Sequence, residues 1–182
     1  MYRLIDFVAA LLGLILAVPL FLVVLIIGYF DTGSPLFFQE RVGKNKKPFT
    51  LVKFRTMSVD TKSVASHLAS SASITKLGAF LRKTKLDELP QLWNVFIGDM
   101  SLVGPRPNLY NQEELIEARD SKNVYSVRPG ITGLAQIQNI DMSTPDKLAR
   151  TDAIMIKKMS LKNYFSFILK TITGAGSGDA VK

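Results

Sequence analysis

The chain has 182 residues, of which 47% are hydrophobic and 21% charged, and 23 basic against 15 acidic side chains give a net charge of +8. It contains no cysteine and one histidine, His67, which excludes disulfides, thiolate metal sites, cysteine nucleophiles and a histidine-rich metal site. The basic surplus favours anionic partners (nucleic acid, acidic head groups or phosphorylated substrates) without choosing among them.

Mean hydropathy is +0.19, high for a soluble protein. Much of the excess lies in Phe7 to Phe30, FVAALLGLILAVPLFLVVLIIGYF, which has no charged residue. About two dozen helical residues at ~1.5 Å each reach ~36 Å, enough to cross a hydrocarbon core of ~30 Å. A signal peptide fits poorly, because the stretch is too long, its leader is nearly uncharged and no A-x-A site follows. Pro19 removes a backbone donor and predicts a kink. Two topologies accommodate it, a kinked spanning helix and a re-entrant hairpin, and the residues by themselves favour the spanning helix. Arg41, Lys44, Lys46, Lys47, Lys53 and Arg55 follow the segment, whereas Arg3 stands alone before it. Either topology therefore places residues 31–182 in the cytoplasm.

Asp31–Pro35 is a turn cluster. Leu36–Arg41 and Phe49–Phe54 are short, apolar and aromatic and predict a β-hairpin or two short strands. Ser58–Thr75, rich in Ser and Ala, predicts a mobile loop or weak helix, with His67 as a solvent-exposed loop residue. Lys76–Lys83 predicts a basic amphipathic helix. Leu89–Met100 predicts an apolar helix with Pro90 in its first turn and Gly98 near its end. Gly104–Pro107 (GPRP) reads as a stiff extended turn, Asn108–Lys122 as a polar helix, and Arg128–Gly133 (RPGITG) as a second Pro/Gly turn. Ser143 or Thr144 can cap a helix running from Pro145 to about Met159. Leu161–Ile172 predicts a final amphipathic helix before a flexible GAGSGDAVK tail. Trp93, Phe96, Tyr164, Phe165 and Phe167 lie beside lysines, as in interfacial helices, but such residues equally fill cores. The whole predicts an α+β, mostly α fold.

Asp87 and Glu88 are adjacent carboxylates just before Pro90. A helix start favours negative charge there. An ionised carboxylate is a competent nucleophile toward phosphorus, and carboxylate oxygens suit Mg²⁺. Acidic helix starts are common, and taken alone the pair reads first as one. The surrounding cations shift that balance. Arg82, Lys83 and Lys85 precede the pair, Lys53 and Arg55 lie in KFRTM, Arg106 sits between two prolines and Arg128 opens RPG. An arginine in a proline-stiffened turn is pre-positioned for bidentate phosphate binding. No Walker-type loop or GxGxxG is present.

Three ordered stretches, FFQERVGKNKKPFTLVKFRTM (37–57), LGAFLRKTKLDELPQLWNVFIGDMSLVGPRP (77–107) and VRPGITGLAQ (127–136), closely resemble the monotopic bacterial phosphoglycosyl transferases. SFILKTI (166–172) and the initial YRLIDFVAA agree more loosely. The resemblance implies that Asp87 attacks the β-phosphate of a UDP-sugar, releases UMP and forms an aspartyl–phosphosugar intermediate. Polyprenyl (undecaprenyl) phosphate then takes the sugar phosphate. Glu88 is implied as its partner in holding Mg²⁺ or the geometry of the dyad. Arg82 and Arg106 resemble the family's arginines, and Arg128, Pro129 and Gly130 resemble a turn near the nucleotide. Lys53 and Arg55 join them as substrate-binding candidates, and Asp152, in RTDAIMIKKMS with Ser160, matches a position that concerns the sugar.

The resemblance further implies a re-entrant helix over 1–30 broken at a proline and a catalytic domain over 31–172 on the cytoplasmic face of the bacterial inner membrane. Residues 173–182 remain a flexible tail. It implies membrane lipids and downstream glycosyltransferases as partners, and no nucleic acid. Val18 departs from the small polar residue usual before the proline, and the tyrosines usual after Asp152 are absent. The chain resembles the minimal form of the family. A non-catalytic membrane-tethered module that binds anionic lipid or nucleic acid is the alternative, and a purely structural membrane protein is a third reading.

Overall fold

The computed structural model describes residues 2–61 and 73–176. His67, most of the expected 58–75 loop and the last part of the tail lie outside the described residues. By its contacts the chain divides into two units. Among the described residues, the first takes those up to Gln39 together with Thr50–Gly98, and the second takes Glu40–Phe49 and those from Asp99 to Gly176.

The first unit is organised by helix α1 (Tyr2–Thr32), which continues through Pro19. Its buried residues, Asp6, Ala10, Val24 and Gly28, are spaced so that 3.6 residues per turn gathers them into one stripe. The other faces are apolar and exposed, Leu16 and Phe30 by 80% and 84%. Only 11% of its most apolar window is buried, at a mean hydropathy of 3.2. The core helix of a soluble protein would be buried on most sides, whereas α1 is held to the protein by one edge and is long and apolar enough to cross a membrane.

That edge meets two partners. Toward the N-terminus, Phe7 stacks on Phe96 at 5.0 Å, and a methyl group on Gly13 would touch Leu92 at 3.0 Å. Both partners belong to helix α3 (Gln91–Ile97). Toward the C-terminus, Val24 joins Phe54 and Leu81 in a core completed by Phe21, Leu25, Leu36, Leu77 and Leu86. Phe54 ends strand β2 (Pro48–Phe54), which pairs with β1 (Leu36–Val42) as the expected hairpin. Leu81 lies on α2 (Lys76–Thr84), where Thr75 accepts a bond from Gly78 N (2.9 Å) as N-cap. The far end of the hairpin, Glu40–Phe49, with the loop and the strand ends beside it, is assigned to the second unit.

The second unit contains β3 (Ser101–Val103), α4 (Glu113–Asp120), β4 (Gly130–Thr132), α5 (Leu134–Ile137), α6 (Pro145–Lys157) and α7 (Leu161–Ile172). Leu115, Ala135 and Leu148, from α4, α5 and α6, form its core with Ile140 and Met142. The residues of α7 match expectation, with Ser160 accepting a bond from Asn163 N. Its aromatic residues divide: Tyr164 and Phe167 are core, while Phe165 is half exposed. On α3, Trp93 is half exposed.

Three expectations are corrected. The apolar helix is shorter than Leu89–Met100: Pro90 precedes it, and Gly98 ends it at a φ of +98°, where a glycine pays no Cβ penalty. The polar helix begins at Glu113 rather than Asn108. RPGITG is not a turn, because Gly130–Thr132 pairs in parallel with Ser101–Val103, Ser101 opposite Gly130 and Val103 opposite Thr132. A parallel pair needs a long crossover, and α4 lies within it.

Candidate active site

In the first unit, the two carboxylates occupy a single turn between helices. Lys85 ends α2 in the left-handed conformation (φ 58°, ψ 16°) and turns the chain into a 3₁₀ turn, Leu86–Glu88. Glu88 N donates to Lys85 O at 3.3 Å and Leu89 N to Leu86 O at 3.1 Å. Leu86 packs on the Val24–Phe54–Leu81 core. Asp87 and Glu88 are buried, with exposures of 2% and 9%, and each is engaged by other groups of the chain.

Arg82, one turn before them, donates from Nε to Thr56 Oγ1 at 2.8 Å. Lys53 is buried on β2. Arg55 is committed to the turn after α1: its Nε meets Ser34 O at 2.8 Å, its Nη2 meets Leu36 O at 3.3 Å, and its guanidinium lies 5.4 Å from the Phe37 ring centre. Arg3 closes the end of α3 by donating to the carbonyls of Val95 and Phe96.

In the second unit, Arg106 and Arg128 come from apposed segments. Gly104 N donates to Thr132 O and Ser101 N to Pro129 O, both at 2.8 Å. A methyl group on Gly130 would lie 2.0 Å from Gly104 N and 2.5 Å from Gly104 Cα. Pro129 and Gly130 are buried, whereas both arginine side chains are partly exposed.

The stretch 105–108 forms no helix or strand, yet each of its carbonyls has a donor. Pro105 O accepts from Gly130 N (2.9 Å), Arg106 O from Arg119 Nη1 (2.8 Å), Pro107 O from Arg41 Nη1 (3.1 Å) and Asn108 O from Val42 N (2.9 Å). A shallow pocket lies beside it, lined by Val42, Gly43, Pro105, Arg106, Tyr125 and Pro129.

Asp152 is fully buried, with Oδ2 accepting from Arg119 Nε (3.0 Å) and Nη2 (2.7 Å). Arg119 is 1% exposed and also donates to Asn108 Oδ1 at 2.9 Å, an atom that Tyr125 Oη reaches at 3.0 Å. Burial pushes the Asp152 carboxyl above its ordinary value, and the Arg119 charge and hydrogen bonds pull it back. Asp152 Oδ1 is buried with no hydrogen-bond partner among the described residues.

Arg41, Asn108 and Arg119 are not singled out by the sequence. A buried arginine in a polar helix reads like a solvated one, and its partners are distant in the chain. Among the described residues no cluster of three or more Asp, Glu, His or Cys could hold a metal. Two adjacent carboxylates still fit Mg²⁺, which takes one or two carboxylates and completes its shell with substrate phosphates and water.

A family model described as bacterial sugar transferase matches residues 1–177. The chain is 35% identical to a UDP-galactose-lipid carrier transferase of Erwinia amylovora, over 93% of this chain and 39% of the relative. It is 38% identical to a UDP-glucose:undecaprenyl-phosphate glucose-1-phosphate transferase of Caulobacter vibrioides, over 93% and 67%. It is 35% identical to the exopolysaccharide production protein PSS of Rhizobium leguminosarum bv. phaseoli, over 92% and 88%. The chain thus spans about two fifths of the Erwinia protein and most of the Rhizobium one. With a match across nearly its whole length, the chain belongs to the bacterial sugar transferase family.

Proposed function

We propose that this chain transfers a sugar 1-phosphate from a UDP-sugar to polyprenyl (undecaprenyl) phosphate, releasing UMP, with Asp87 as nucleophile. The observation that carries the reading is the placement of the Asp87–Glu88 turn between α2 and α3 in the unit whose α1 is long and apolar enough to cross a membrane. Family membership and the names of the relatives support the reaction class.

A carboxylate oxygen of Asp87 attacks the β-phosphorus, and the bond from that phosphorus to the oxygen bridging the two phosphates breaks, so UMP leaves with the electron pair. A phosphate oxygen of the lipid then attacks the same phosphorus and returns the Asp87 carboxylate. Arg82, Lys53, Arg106 and Arg128 bind and neutralise the phosphates, and positioned cations aimed at developing charge contribute the electrostatic part of catalysis. Burial of the turn keeps bulk water from the acyl phosphate. Asp87 and Glu88 would hold Mg²⁺, which when bound offsets charge on the diphosphate.

The membrane reading is monotopic, on the cytoplasmic face of the inner membrane. Support comes from Arg3, whose bonds to Val95 and Phe96 tie the start of α1 to the end of α3, where the chain leaves through Gly98 to the charged Asp99. The other end of α1 runs into Asp31 and Ser34. Both ends therefore meet polar chain, which a helix re-entering one face requires, and the basic residues after α1 favour the cytoplasmic side. With no native cysteine, single cysteines at Tyr2 and Thr32 test this directly. Both label from the cytoplasmic side if α1 is re-entrant; one from each side refutes it.

The chemical test is UMP release from a panel of UDP-sugars with polyprenyl phosphate. Asp87→Asn abolishes release, whereas Asp99→Asn retains it. Wild-type release by the Asp87→Asn protein overturns the reading.

A further inference from the structure

We propose that Arg119, locked by Asp152, is a positioning residue that fixes the Arg106 main chain for binding the donor diphosphate, so that Asp152 acts on the nucleotide sugar at one remove. This rests on the proposed role of Arg106 as a donor-phosphate ligand.

Pro105 and Pro107 lack backbone N–H groups, and the 105–108 stretch borrows no ladder from helix or sheet. Buried carbonyls without donors are strongly disfavoured, so the conformation persists only where outside donors meet it. Arg119 supplies the one at residue 106 itself (Nη1 to Arg106 O, 2.8 Å) and a second, at 2.9 Å, to the side chain of Asn108. Its other nitrogens are aligned by Asp152 at 3.0 and 2.7 Å. A planar fork with five donors reaches carbonyl, amide and carboxylate at once, which the single ammonium of a lysine cannot do.

Asp152 is fully buried and does not reach a soluble ligand without rearrangement, and Arg119, which borders the shallow pocket beside 105–108, is 1% exposed with its nitrogens spent on Asp152, Arg106 O and Asn108. The cluster ends on the backbone of a residue whose own cationic side chain is partly exposed. Charge at the site therefore comes from Arg106, and its direction from Arg119.

The test uses the full chain in detergent micelles with the UDP-sugar that the panel selects. In the Arg119→Lys protein, folded by circular dichroism, the KM for UDP-sugar rises about ten-fold and kcat falls by no more than that factor, while the KM for polyprenyl phosphate stays within about two-fold. Adding Arg106→Ala to Arg119→Lys raises the KM no more than about two-fold beyond Arg106→Ala alone, because both act through one side chain. Tyr125→Phe, which removes the 3.0 Å bond to Asn108 and the hydroxyl's interaction with Arg119, raises the donor KM by about two- to three-fold and decides the case if the lysine variant does not fold.

A folded Arg119→Lys protein with unchanged donor KM, or additive effects in the double variant, overturns the proposal. Loss of folding in both variants assigns the cluster to the core and overturns it too. If Arg106→Ala itself leaves the donor KM unchanged, the role of Arg106 fails instead. If Arg106→Ala raises it and Arg119→Lys does not, the positioning role alone fails.

Discussion

The turn that carries Asp87 and the stretch that carries Arg106 are assigned to the same chemistry and are held in opposite ways. Asp87 sits in a 3₁₀ turn whose bonds run between chain neighbours, Lys85 to Glu88 and Leu86 to Leu89. Arg106 sits in an irregular stretch whose carbonyls are met by Gly130, Arg119, Arg41 and Val42, all distant in the chain. The backbone hydrogen bonds of the first are local, although Leu86 packs on the Val24–Phe54–Leu81 core. The second exists only when the second unit has assembled, so the phosphate recognition proposed for Arg106 depends on tertiary folding. Substitutions at remote residues should therefore disturb the Arg106 stretch far more than equally drastic ones disturb the Asp87 turn.

Asp152→Ala is expected to have the largest effect. It leaves the Arg119 guanidinium buried and without its counter-charge, at a cost of about 3–5 kcal/mol. Thermal unfolding in micelles, compared with Asp152→Asn, reads it. A drop no larger than that of an average surface substitution would place the Arg119–Asp152 pair outside the support of the Arg106 stretch.

Gly130→Ala follows. Its methyl group would sit 2.0 Å from Gly104 N, and because both sides are backbone neither can swing away. Separation of β3 from β4 costs about 1–3 kcal/mol or more, seen as a lowered Tm and weaker UDP binding. An alanine tolerated within about 0.5 kcal/mol would refute the close approach.

These two regions also divide what can be read from residues in order. The α1, hairpin, α2, α6 and α7 segments are legible from an apolar run, two short aromatic and apolar segments, amphipathic patterns and Pro145. The carboxylate pair and the arginines are legible as chemistry. The parallel β3–β4 pair is not, because each strand is three residues long and its partner lies beyond a helix. RPGITG thus shows only its proline and glycines, which signal a turn. The reach of Asn108–Lys122 is overestimated for a related reason. Polar residues there suit helix, but Asn108 Oδ1 is taken by Arg119 and Tyr125, so 105–108 follows its clamps and helix waits until Glu113.

Thr75→Ala tests the local side of the comparison. The threonine hydroxyl accepts from Gly78 N at 2.9 Å and satisfies one of the open N–H groups of α2. Its loss costs about 1 kcal/mol, read by thermal unfolding, and leaves the donor KM unchanged because the following turn keeps its own bonds.

The smallest effect, and the sharpest in sign, is expected of Lys85→Gly. Lys85 adopts a φ of 58° to end α2 and begin the 3₁₀ turn. In that conformation a Cβ crowds the following carbonyl oxygen, at a cost of about 1–2 kcal/mol that glycine does not carry. Glycine in turn loses more freedom on folding, about 0.5–1 kcal/mol relative to alanine, so the two terms largely cancel and leave a net change of a few tenths to about 1 kcal/mol in favour of the variant. Valine at the same place keeps the crowding and adds a branched side chain, so it destabilises. Glycine at or above wild-type Tm with valine below it would establish that backbone conformation ahead of Asp87 holds the turn. The opposite order would show that the Lys85 side chain holds it, and the contrast between a locally bonded Asp87 turn and a remotely clamped Arg106 stretch would disappear.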